Sequence, residues 1–216
     1  DPPAVLTVQG NANFSGGQLS SGIDFNNNNS NDTGEIHVLG NVAFAGTTAS
    51  GTQPDLFFAG DLTSDPAPNN ANRFYDPTSG QFIANGVGAQ SLGGSAARVH
   101  SLDVGANSDL RLTSAVTFRS TLLVRGGLTT DVGFDANGDV SFETGSTVTL
   151  AADEHTFERD LTLDGTINAA ATFVFDGVQS GILHGSATIG SVRVAKTSTA
   201  RSLRIANAPS LTGDLE

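Results

Sequence analysis

Two stretches decide the fold: Phe82–Ser95, FIANGVGAQSLGGS, and Phe173–Ser186, FVFDGVQSGILHGS. At a constant offset of 91 residues (173 − 82), Phe, Gly, Val, Leu, Gly and Ser recur at the same places. Each stretch is followed by a short apolar alternation, Ser101-Leu102-Asp103-Val104 and Ser191-Val192-Arg193-Val194. A second alternation comes after, Leu110-Arg111-Leu112 and Leu203-Arg204-Ile205. Self-similarity of this kind marks a chain that stacks similar units. The expectation is a long, stiff object.

Outward from these copies, period-2 runs fill the chain: Val5-Leu6-Thr7-Val8, Ile36-His37-Val38, Leu122-Leu123-Val124, Val140-Ser141-Phe142, Val148-Thr149-Leu150, Leu161-Thr162-Leu163 and Phe173-Val174-Phe175. Alternation of apolar and polar residues puts one face of a strand on a core and the other in water. Turn residues punctuate the gaps, as at Asn137-Gly138, Asp164-Gly165 and Asp176-Gly177. No stretch carries the i, i+3, i+4, i+7 pattern of an amphipathic helix. Short strands at close spacing mean an all-β fold. The recurring block, the polar outward positions and the irregular gaps favour a solenoid over a sandwich or an antiparallel barrel. In a solenoid each coil is supported by its neighbours.

Composition bounds the function. The 216 residues include 26 Gly but no Cys, Met or Trp, so there is no disulfide framework, thiolate nucleophile or thiolate metal site. A net charge of −12 with only 10 Lys+Arg argues against nucleic acid and anionic membranes as partners. No apolar run approaches the roughly 20 residues that cross a bilayer as a helix, so membrane insertion is not expected. The absent Met and the opening Asp1-Pro2-Pro3-Ala4 suggest a chain cut from a precursor, or a fragment, and a secreted or cell-surface location. Two units are expected. Residues 1–80 read as an N-terminal β-rich cap or assembly region, with an Asn-rich loop (FNNNNSND, from Phe25) and a Pro/Asn-rich loop (DPAPNNAN, from Asp65). Residues 81–216 read as solenoid repeats.

The block F-x-x-x-G…L-x-G-S…S-L/V-x-V…L-R-L/I is continued in its first copy by Leu122-Leu123-Val124-Arg125-Gly126-Gly127-Leu128. It resembles the parallel β-helix repeats of large secreted bacterial adhesins and extracellular-matrix proteins, over roughly Phe82 to Glu216. The resemblance implies architecture and a surface role. That group shares no catalytic residues, so none is carried over.

Candidate sites are few. Asp135, Asn137 and Asp139 place oxygen ligands at i, i+2 and i+4 around a Gly turn, a way to wrap Ca²⁺; the competing reading is an Asn-Gly turn. Asp24, Asn26, Asn28, Asn31, Asp32 and Glu35 form a second oxygen-rich stretch that could bind Ca²⁺, or sugar through amide hydrogen bonds; the preferred reading is a flexible polar loop. His155 lies among Asp153, Glu154 and Glu158, which could form a small acid–base cluster; the competing and preferred reading is a solvated charged turn. Asp103, Asp109 and Arg111, and Asp160, Asp164 and Arg159, were the groups to check for a carbohydrate-cleaving site.

The expectation is a non-enzymatic structural protein without a required cofactor, Ca²⁺ being the one candidate. Its subunits would associate head to tail into a homopolymer through Val5, Val8, Leu211 and Leu215. Polysaccharide is a further candidate partner. The alternative is a carbohydrate- or ice-binding module, and behind it a polysaccharide lyase or hydrolase.

Overall fold

The computed structural model describes residues 5–15, 18–19, 34–45, 48–49, 54–65, 80–94, 97–197, 201–207 and 209–216. These form a stack of parallel strands with no helix among them: a parallel β-helix, the all-β solenoid that the alternating runs call for. Sheet I has ten strands, from Val5–Val8 through Phe82–Ala84 to Leu203–Ala206. Sheet II has eight, from Ala12–Ser15 to Thr166–Ala169, and sheet III six, from Ala97–Val99 to Ser191–Val194. The pair Thr188–Ile189 and Ser210–Leu211 carries the stack past the last strand of sheet II.

Residues of like position pile into columns. The longest runs Leu6, Ile36, Leu56, Phe82, Leu102, Leu122, Val140, Leu161, Leu183, Ile205 along the inside of sheet I. From Leu56 to Leu183 its members are buried. Alternation is the cause: with a period of two, one residue parity faces the core on every rung. Aromatic rings fill sheet III and the first coils, with Phe157 stacked on Phe173 at 5.6 Å and Phe14 on Phe44 at 5.0 Å. Such pairs add packing energy beyond the area they bury.

Coil length follows from register. Phe82 pairs with Leu102 and Leu102 with Leu122, a coil of 20 residues, while Leu161, Leu183 and Ile205 are 22 apart. The two copies of the sequence block are therefore not equivalent rungs. Phe82 belongs to sheet I, but Phe173 belongs to sheet III four coils on. What the copies share is a strand ending. Gly94 and Gly185 have φ of 130° and 129°, a conformation that favours glycine. A Cβ at either would strike a carbonyl of the preceding coil, Ser64 O or Leu163 O.

Sheets I and II cross residue 80 without a break: Asp55–Phe58 pairs with Phe82–Ala84, and Leu62–Asp65 with Gly88–Gly94. The first coils are joined at one corner by a side-chain ladder. Asn41 N–H donates to Asn11 Oδ1 (2.9 Å), Asp61 N–H to Asn41 Oδ1 (2.9 Å) and Ser91 N–H to Asp61 Oδ1 (2.8 Å). Each short polar side chain satisfies a backbone donor that the corner takes out of the sheet. Residues 25–32, the whole of the Asn-rich loop, and 66–72 of the Pro/Asn-rich loop lie outside the described residues.

Candidate functional site

Asp135 opens the short sheet III strand Asp135–Ala136 and Asp139 opens the next strand of sheet I, with the Asn137-Gly138 corner between the two strands. Each carboxylate accepts one hydrogen bond from the next coil. Asp135 Oδ1 accepts from Thr156 Oγ1 at 2.9 Å, and Asp139 Oδ1 from Asp160 N–H at 3.4 Å. Asn137 is exposed and its N–H bonds Phe118 O (2.8 Å). A cation already sits nearby. Lys196 Nζ donates to Glu158 O (2.9 Å) and to Asp176 O. Burial pushes the Lys196 pKa down, against the pull of Asp176 and Glu158. Burial likewise pushes the Asp176 carboxyl up, and the charges of Asp135 and Glu158 add to that rise. Among the described residues no three His, Asp or Glu side chains are placed to hold a metal. Of the second oxygen-rich stretch, Asp24, Asn26, Asn28, Asn31 and Asp32 lie outside the described residues. Glu35 lies within them and meets His37 Nε2 at 2.8 Å.

The acidic groups that a carbohydrate-cleaving site requires are dispersed. Asp103 faces out from sheet I and pairs with Arg125, while Asp109 and Arg111 belong to sheet II, Arg111 pairing with Asp131 at 2.8 Å. Asp160 Oδ1 accepts from Ile182 N–H at 2.8 Å, bracing the next coil. A shallow groove of about 450 Å³ lies on sheet III, lined by Arg98, Thr117, Gly133, Asp135, Asp153 and Thr156. Its acids are also committed: both oxygens of Asp153 accept backbone N–H groups, of Glu154 and Gly133, and these bonds hold its pKa low.

His155 is not in a solvated turn. It lies on the strand Glu154–Phe157, fully buried, between Phe134 and Phe173. The signal was its parity: it shares a face with Phe157, two positions on.

The assembly residues fall at the two ends of the stack. Val5 (55% exposed) faces outward and Val8 inward on the same end strand; Leu6, 56% exposed, shares the inward face of Val8. At the other end Leu211 pairs with buried Ile189, and Leu215 (59% exposed) with buried Val192. Ile205, 41% exposed, completes that rung. Leu6 and Ile205 escaped the sequence reading because their place at opposite ends of one column depends on register. No family model, curated protein or solved structure matches this chain.

Proposed function

We propose that the chain is a structural β-solenoid that associates end to end into an extracellular fibre, matrix or surface adhesin. One observation carries this reading: the inward column of sheet I is buried along its middle and exposed at both ends, at Leu6 and Ile205. An edge strand presents unpaired N–H and C=O groups, and here each edge lies beside exposed core residues. Opposite ends of a solenoid are different surfaces, so their contact is head to tail and does not close. The acidic composition, the lack of cysteine and the likeness to adhesin repeats support a secreted location and a bacterial surface role. Static light scattering tests the self-association. The mean mass of the purified chain should climb with concentration, and Leu6→Asp should hold it at the monomer value; a concentration-independent monomer for the unsubstituted chain would reject the reading.

A second reading, a carbohydrate- or ice-binding face, is favoured by sheet II. Thr147 and Thr149 point outward in register with Gly127 and Thr129 on one side and Thr166 and Asn168 on the other. These residues form an exposed polar patch over a shallow trough beside Gly127 and Gly145. Glycan-array binding or inhibition of ice recrystallisation, lost in Thr147→Val/Thr149→Val, would establish it.

A further inference from the structure

We propose that the head-to-tail junction has one fixed register, in which the sheet I column continues from Ile205 of one copy to Leu6 of the next. The inference rests on the end-to-end reading above and specifies its geometry. Three observations lead to it.

The first is the edges. Val5–Val8 and Leu203–Ala206 are the outermost strands of sheet I, each of four residues, and the whole sheet is parallel. Placing one edge against the other continues the ladder without reversing any strand.

The second is the corner between the first two sheets. From Leu6 to Ala12 is six positions (12 − 6), and from Ile205 to Leu211 is also six (211 − 205). The neighbouring pairs Ile36 to Val42 and Leu183 to Ile189 repeat that spacing in register with them. In the middle of the stack the corner is longer: Phe82 to Leu92 and Leu102 to Leu112 are ten. The two exposed rungs thus share the compact corner. When Ile205 meets Leu6, Leu211 comes to Ala12 without a slip. A one-residue slip would turn every inward side chain to the wrong face.

The third is charge. In this register Arg204 faces Val5, and the rung beyond Val5 holds Glu35. Within the molecule the same device exists: Arg193 lies beside Val174 and grips Glu154 two rungs away, at 2.5 and 2.8 Å. Arg204 would cross Val5 to Glu35 in the same manner.

The chain has no cysteine, so cross-linking can read the register directly. In the proposed junction Thr7 faces Ala206 on the outer surface, on strands about 4.8 Å apart, inside the Cα separation of about 4.4–6.8 Å that a disulfide spans. The full chain carrying Thr7→Cys/Ala206→Cys should give a ladder of covalent multimers on oxidation, dispersed by reductant. Val5→Cys/Arg204→Cys should do the same, which guards against a folding defect in either variant. Thr7→Cys/Arg204→Cys, displaced by two residues to about 8 Å, should not. Filaments without a ladder from the in-register pairs, or with equal ladders from all three, would overturn the register while leaving end-to-end association standing. Absence of both filaments and ladders would overturn the two together.

Discussion

The ring of His155 stands edge to face against Phe134, centroids 4.7 Å apart, inside a column that continues to Phe173 and Val192. Phe134 N–H approaches His155 Nδ1 at 3.4 Å, and Nε2 lies 3.3 Å from Ala151 O. These contacts suit a neutral ring with its proton on Nε2. Burial pushes the pKa below 6.5, outweighing the bond to Ala151 and the charge of Asp153. The unfolded chain therefore takes up this proton before the folded chain does. Stability from His155 is complete above about pH 6.5 and is lost as pH falls from there toward the depressed folded value. Thermal melts at pH 7.5 and 5.5 should show a larger loss for the unsubstituted chain than for His155→Phe, which keeps the aromatic column. Equal losses would mean the histidine is not held neutral.

Gly138 and Gly145 should respond differently to alanine. At Gly138 a Cβ would collide with the backbone of Ser120 in the coil below, which cannot move aside. Gly145 has φ of 92° but open space around it. Gly145→Ala should cost about 1–2 kcal/mol from backbone strain alone, and Gly138→Ala more than about 3 kcal/mol, because a coil must shift. Chemical denaturation measures both, and equal costs would refute the close coil contact.

Arg193 should matter more for what it covers than for its charge. Val174 sits at an outward position of sheet III yet is 2% exposed, with Arg193 beside it in register. Exposed ion pairs contribute little, whereas a long aliphatic stem shields apolar surface. Arg193→Ala should lower the melting temperature more than Glu154→Gln, and Arg193→Met should recover most of the difference. A full effect from Glu154→Gln would assign the stabilisation to the ion pair.

Calcium should leave the melting temperature unchanged. Asp135 and Asp139 each accept a hydrogen bond, from Thr156 and the Asp160 amide, and Lys196 supplies positive charge beside Asp176 and Glu158. A bound ion at 100 times its dissociation constant would add about 2.7 kcal/mol, a shift easily seen between EDTA and millimolar Ca²⁺. Such a shift, abolished by Asp139→Asn, would establish the metal reading of the Asn137-Gly138 corner.

The strands were legible because alternation is a local property. Val140-Ser141-Phe142 and Leu161-Thr162-Leu163 lie in strands and put their apolar residues inside. The rung alignment was not legible. Coils of 18 residues (Leu122 to Val140) and 22 (Leu161 to Leu183) share no fixed period. The most visible repeat instead joined two strands on different faces, since Phe82 and Phe173 share only the approach to a glycine ending. The same limit hid the end rungs. Val5 and Val8 look alike in composition, but their opposite parity separates them, and only pairing reveals Leu6 and Ile205 as ends of one column. His155 was misread because its acidic neighbours Asp153 and Glu154 face water while it does not.

Electron microscopy of the purified chain at high concentration shows whether its two ends join. End-to-end association predicts unbranched filaments of uniform width, with diffraction showing strands spaced about 4.8 Å along the fibre axis, and short particles when Ile205 is replaced by Asp. Monodisperse particles at every concentration, or filaments in which strands run along the axis, would contradict it.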